Sequence, residues 1–130
     1  MNQKIPLLAA PVPAGFPSPA HDYMERALDL NELCVKNPTA TFMVRVSGHS
    51  MEGAQISDGD VLVVDRSIPP TDGKVVIAVV DDNFTVKRLR QKSDGMYLEA
   101  EHPEFPPQKI DEGAAFEVWG VVTYVIHGVK

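Results

Sequence analysis

From Thr41 onward the apolar residues come in short runs rich in Val, Ile, Phe and Tyr: TFMVRVSG, DVLVVD, KVVIAVV, NFTVKRLRQ, MYLEA and FEVWGVVTYVIHGV. Runs of this length and composition read as strands. Polar turn signals separate them: Ser57-Asp58-Gly59-Asp60, Pro69-Pro70-Thr71-Asp72-Gly73, Asp81-Asp82-Asn83 and Ser93-Asp94-Gly95. Short strands so spaced predict a mainly β, largely antiparallel domain. The last run is the longest, and it reads as one long bent strand or two strands, with Gly120 at the bend.

Ahead of the strands, DLNELCVKNP predicts a short helix. Asp29 is placed to cap it, Glu32 lies three residues on, and Asn37-Pro38 stops it. Five of the 11 prolines fall within the first 19 residues. Proline lacks a backbone donor and resists both helix and sheet, so residues 1–19 read as an extended N-terminal arm and residues 20–130 as the β domain. The arm carries Ile5, Leu7, Leu8, Val12 and Phe16, side chains that favour docking over solvation.

The chain has 130 residues, enough for one domain with a modest core. Its formal net charge of -6 argues against broad electrostatic binding of nucleic acid, which wants a basic face. Cys34 is the only cysteine, so no internal disulfide is expected and a reducing, cytoplasmic setting is favoured. No apolar run approaches the roughly 18 residues of a spanning helix. The patch from Ile5 to Ala10 is short and broken by Pro6, unlike the apolar region of an export signal.

The chemistry-bearing stretch is VSGHSMEGAQISDGD, Val46 to Asp60. Ser50 lies between Gly48 and Gly53, where a strand ends and an acidic turn begins. A serine hydroxyl needs a base to become a nucleophile and oriented donors for the oxyanion it creates. Flanking glycines permit the turns that aim successive N–H groups inward. The same residues also fit a plain surface turn. Among candidate bases, His49 is adjacent in sequence, and neighbouring side chains of an extended segment point apart. His21, His102 and His127 stand beside no recognisable orienting carboxylate motif. Lys87 is the other candidate. A strand over NFTVKRLR sets Thr85, Lys87 and Leu89 on one face and Phe84, Val86 and Arg88 on the other. Lys87 is there either a snorkelling edge-strand lysine or a buried amine, neutral enough to serve as a base.

Taken in order, several short segments resemble the LexA/UmuD family of self-cleaving serine peptidases, its UmuD branch most of all. They are Ala14-Gly15-Phe16-Pro17-Ser18-Pro19-Ala20, Asp22-Tyr23, Asp29-Leu30-Asn31, Ser47-Gly48-His49-Ser50-Met51, Ile56-Ser57-Asp58-Gly59-Asp60, Phe84-Thr85-Val86-Lys87 and Trp119-Gly120-Val121-Val122. The likeness runs from about residue 14 to the end. It implies a compact β domain, with Ser50 as nucleophile, Lys87 as general base and the backbone N–H groups of His49 and Ser50 as the oxyanion hole. The scissile bond it implies is Ala14-Gly15. No metal or cofactor enters.

The resemblance further implies a homodimer, a RecA–single-stranded DNA filament as activator of cleavage, and a UmuC-like Y-family DNA polymerase as partner of the trimmed protein. Two features depart from the family pattern. His49 stands where an acidic residue or methionine is common, so its side chain is not expected to be catalytic. The stretch ahead of the scissile bond is too short for a helix-turn-helix, so direct operator binding is not expected. Two rival readings remain at this point. One is a signal-peptidase-like protease, which shares the S-G-x-S-M pattern. The other is a non-enzymatic β interaction domain with an inert serine and lysine.

Overall fold

A computed structural model of the chain describes residues 5–8, 14–15 and 24–129. Val12, Phe16 and His21, singled out from the sequence, lie outside the described residues. The chain divides into two compact units, Met1–Lys36 and Asn37–Lys130.

In the first unit, β1 (Ile5–Leu8) pairs antiparallel with β2 (Met24–Leu28), with Ile5 opposite Leu28. The ladder is irregular between Leu7 and Leu8. Ile5–Leu8 is extended and paired, with Pro6 opposite Ala27. Pro6 is tolerated because a two-stranded sheet leaves every strand an open side where the missing donor costs nothing. The expected helix is present as α1, Leu30–Cys34. Asp29 caps it, its carboxylate accepting the Asn31 N–H at 2.9 Å.

The second unit is built on a seven-stranded antiparallel sheet. Its strands are β3 (Thr41–Arg45), β4 (Val61–Asp65), β5 (Val75–Val80), β6 (Asn83–Lys92), β7 (Gly95–Glu99), β8 (Gln108–Lys109) and β9 (Phe116–Ile126). Their order across the sheet is β3-β4-β9-β5-β6-β7-β8. The C-terminal β9 therefore lies between β4 and β5. Each run of apolar residues read from the sequence holds a strand. The two-residue β8 and the single 3-10 turns Pro38–Ala40 and Glu52–Ala54 have too little periodicity to announce themselves.

Two apolar clusters form this unit's core. One gathers Val46, Met51, Ile56, Leu62, Val64 and Ile77; the other gathers Val76, Ala78, Leu89, Leu98 and Val121. Successive residues of β5 feed different clusters, Val76 and Ala78 one, Ile77 the other, so both faces of that strand are buried. That is why KVVIAVV reads as an unbroken apolar run instead of an alternation.

Between β5 and β6 the chain turns on Asp81 and Asp82, with φ of 48° and 67°. Consecutive positive φ angles suit the twist of a two-residue hairpin, and aspartate is among the few side chains that tolerate them.

Gly120 does not break β9, which runs continuously from Phe116 to Ile126. The irregularities lie to either side of it. Trp119 is unmatched against β5 and Thr123 is unmatched against β4, each the extra residue of a bulge. The glycine has a packing role: a Cβ there would fall 2.5 Å from Val64 Cγ1 and 3.3 Å from Arg66 Cγ.

Candidate active site

Ser50 lies on the segment joining β3 to β4. Two backbone bonds close the base of this segment, Val46 N–H to Asp60 O and Gly59 N–H to Val46 O, both 2.8 Å. Arg45 adds a bond from Nη1 to the Gly59 carbonyl at 3.0 Å. Above them Gly48 adopts φ of +98°, a conformation open to glycine and costly for other residues. Its N–H donates to Asp58 Oδ1 at 2.8 Å. Met51, next to the serine, is 2% exposed and anchors the segment in the first apolar cluster. Asp60 is buried. Its carboxylate accepts the Ser57 N–H at 2.8 Å and lies 2.6 Å from His127 Nδ1. The acidic turn is thus the frame of the serine segment.

Lys87 comes from β6, opposite Val76 of β5. With β5 on one side and β7 on the other, β6 is an interior strand, so the edge-strand alternative for this lysine falls away. Lys87 is half-buried, and its Nζ lies 3.0 Å from Ser50 Oγ. Burial pushes its ammonium below the ordinary lysine value of 10.5, because desolvation favours the neutral amine. Among the described residues no carboxylate pairs with Lys87 to oppose that shift.

The histidines take other places. His49 is largely exposed, with Nδ1 3.6 Å from Glu52 Oε2. His102 Nδ1 accepts the Glu104 N–H at 3.1 Å, and its ring stands edge-on to Phe105. His127 is held by Asp60. No described histidine meets Ser50. The backbone N–H groups of His49 and Ser50 donate to no acceptor among the described residues. Ala14 and Gly15 belong to the other unit, where both are exposed in a bend. A Cβ at Gly15 would meet no atom within 4 Å, so packing does not demand a glycine there.

Ser50 and Lys87 open into a cavity of about 420 Å³, walled by Val44, Val46, Ile77, Phe84 and Trp119. The Trp119 ring tilts against Phe42 at 5.2 Å and stands edge-on to Phe84 at 6.1 Å. Arg66 stacks over it at 4.6 Å and donates from Nε to the Trp119 carbonyl at 2.7 Å. The sequence reading missed this aromatic wall. A bulge at Trp119 places the ring there, and bulges leave no mark in apolar periodicity. The arrangement pairs a hydroxyl with an amine of lowered pKa, beside two uncommitted N–H groups and an apolar trough. That donor set suits acyl transfer. Among the described residues no group of three or more His, Cys, Asp or Glu could hold a metal ion. No described helix is long and apolar enough to cross a membrane.

Residues 6–123 match the family described as Peptidase S24-like. Protein MucA of Salmonella typhimurium is 46% identical over 121 residues, covering 92% of this chain and 82% of that protein. Protein ImpA of Shigella flexneri is 47% identical over 129 residues, covering 96% of this chain and 85% of its own length. The LexA repressor of Vibrio campbellii is 41% identical over 110 residues, spanning 85% of this chain and 52% of the repressor.

Proposed function

Because the chain belongs to the Peptidase S24-like family, we propose that it is a self-cleaving serine endopeptidase of the SOS response, with Ser50 as nucleophile and Lys87 as general base. The observation that carries this reading is the 3.0 Å contact between Lys87 Nζ and Ser50 Oγ, at a lysine whose charge burial disfavours. In the neutral form the contact runs from Oγ–H to Nζ, the direction a general base requires.

The proposed substrate is the chain's own Ala14-Gly15 bond. Ser50 Oγ attacks the Ala14 carbonyl carbon while Lys87 takes the hydroxyl proton. The N–H groups of His49 and Ser50 hold the resulting oxyanion. Lys87 returns the proton to the Gly15 nitrogen as the peptide bond breaks, leaving Ala14 as an ester on Ser50. Water, activated by the same amine, then hydrolyses that ester. The proton, the leaving amine and the nucleophile all balance without metal or cofactor. The bend at Ala14-Gly15 is exposed, as a cleavable bond must be, and tethering gives it a high effective concentration at the serine.

On this reading residues 1–14 are the released arm. The trimmed homodimer serves as accessory subunit of a UmuC-like Y-family translesion polymerase, and a RecA–single-stranded DNA filament speeds the cut. The likeness to MucA and ImpA supports placing the chain here rather than among repressors, although the LexA repressor shares the matching region. The test is intact-mass analysis of purified chain held at rising pH, with and without RecA filament. A product beginning at Gly15, absent from Ser50→Ala and Lys87→Ala, is expected. Cleavage at Ala14-Gly15 that survives both substitutions would overturn the assignment.

A further inference from the structure

The serine and the lysine reach each other from segments 37 residues apart in sequence. A contact made across such a distance depends on what fixes the two segments together. Core packing supplies part of it, since Met51 belongs to the first apolar cluster and Val86 packs against that cluster. A polar connection supplies more. Gly53, in the turn just after Ser50, donates its N–H to the Glu101 carbonyl at 2.7 Å. A Cβ on Gly53 would sit 2.6 Å from that same oxygen, so only glycine permits so close an approach. The Glu101 side chain in turn accepts from Arg88 Nε, and Arg88 follows Lys87 on β6. Arg88 is fixed independently, its Nη1 donating to the Gly73 carbonyl at 2.7 Å. Both side chains of the pair are under a third exposed, so water competes for them only weakly.

We infer that the Arg88–Glu101 pair is a brace that positions the dyad, Glu101 taking the nucleophile's segment on its backbone and the base's strand on its side chain. The inference rests on the Ser50–Lys87 reading. Neither residue touches the reacting atoms; both act through Gly53 and Lys87. Glu52 lies 3.9 Å from His102 Nε2, a second and looser link between the serine segment and the stretch that carries Glu101.

The brace has a signature that a purely structural ion pair lacks. Loss of the Glu101 carboxylate frees the turn after Ser50 while β6 keeps its place between two strands. The serine then drifts from the amine, and the lysine becomes better hydrated. Self-cleavage of the full chain is measured against pH for wild type, Arg88→Ala, Glu101→Ala, the double variant and Glu101→Gln, with thermal melts alongside. Each alanine variant is expected to lose about tenfold or more in its high-pH plateau rate, since displacements near 1 Å cost on that scale. Its pH midpoint moves up toward the ordinary lysine value. The double variant is no slower than the slower single one, because the two side chains act as a unit. Glu101→Gln, still an acceptor, recovers part of the rate. If an alanine variant melts below the assay temperature, Glu101→Asp carries the test with the same expected loss, because it keeps the charge and shortens the reach. Wild-type plateau and midpoint in folded Glu101→Ala would overturn the brace. A wild-type chain that never cleaves overturns the serine–lysine reading instead, which separates the two failures.

Discussion

Asp58 Oδ1 lies 2.8 Å from the Gly48 nitrogen, tying the strand-side end of the serine segment to its acidic turn. Asp58 itself is exposed, so the bond adds little to global stability and acts mainly on local geometry. Asp58→Ala is expected to cost about 1 kcal/mol or less in a denaturant melt and to slow self-cleavage about tenfold. Asp58→Asn keeps an acceptor and should fall between. A cleavage rate in Asp58→Ala equal to wild type would remove this residue from the frame of the site.

The Lys87 shift has a sign that can be checked twice. With Lys87 as the proposed general base, cleavage would need the neutral amine, so its rate should climb with pH and level off below 10.5, the ordinary lysine value. Stability moves the same way. A lysine whose folded pKa is lowered binds fewer protons folded than unfolded across the interval between the two pKa values. Its contribution to stability therefore rises with pH through that interval. Below the folded value the full cost of holding a half-buried cation remains. In Lys87→Met this slope should vanish from the melting curve, and cleavage with it.

Gly120→Ala places a methyl 2.5 Å from Val64 Cγ1 in a fully buried position. Overpacking of this kind typically costs about 1–3 kcal/mol, read as a lower denaturation midpoint with an unchanged slope. Val64→Ala in the same chain opens room for the added methyl. The pair should be less damaging than the sum of its members. Additive losses would place the strain elsewhere.

Asp65 is buried and accepts from Asn37 Nδ2 at 2.7 Å, Ser67 Oγ at 2.6 Å and Ser67 N–H at 2.8 Å. The Asn37 bond, then the Ser67 bonds, outweigh desolvation and hold its carboxyl below the usual 3.8. A lowered carboxyl contributes stability that is present above the unfolded pKa and is lost as pH falls through the folded one. Acid unfolding of the wild type should therefore steepen below about pH 3.8. Asp65→Asn should be less stable at neutral pH and show a shallower acid limb. An unaltered acid limb would mean that other carboxylates dominate.

The strands were legible because each is a dense apolar run between turn residues, and β5, buried on both faces, needs no alternation to be recognised. The helix cap at Asp29 was legible from local chemistry alone. β2 was not. MERAL has no strand-like composition and pairs only because β1 offers an edge. The candidate base illustrates a different limit. The alternation over β6 told which residues share a face with Lys87, but nothing local could say that a serine 37 residues earlier would stand at its tip. That pairing rested on resemblance. Gly120 left a choice that its own sequence neighbourhood could not make. A glycine in a strand signals either a bend or a close approach, and the choice depends on Val64, which is remote in sequence.

The two apolar clusters share β5 as a common wall, and β9 lies beside it contributing Val121 to one cluster and Val122 to the other. A wall packed on both sides cannot be melted from one side alone, because loosening either cluster strips support from the other. Residues Asn37 to Val129 should therefore open as one cooperative unit at the level of these strands, with amide protons of β4, β5 and β9 exchanging only through global unfolding. Under the proposed self-cleavage, a chain cut near its own terminus gains from this. The members of both clusters lie between Val44 and Val125, so a cut at Ala14-Gly15 would leave every one of them in the product.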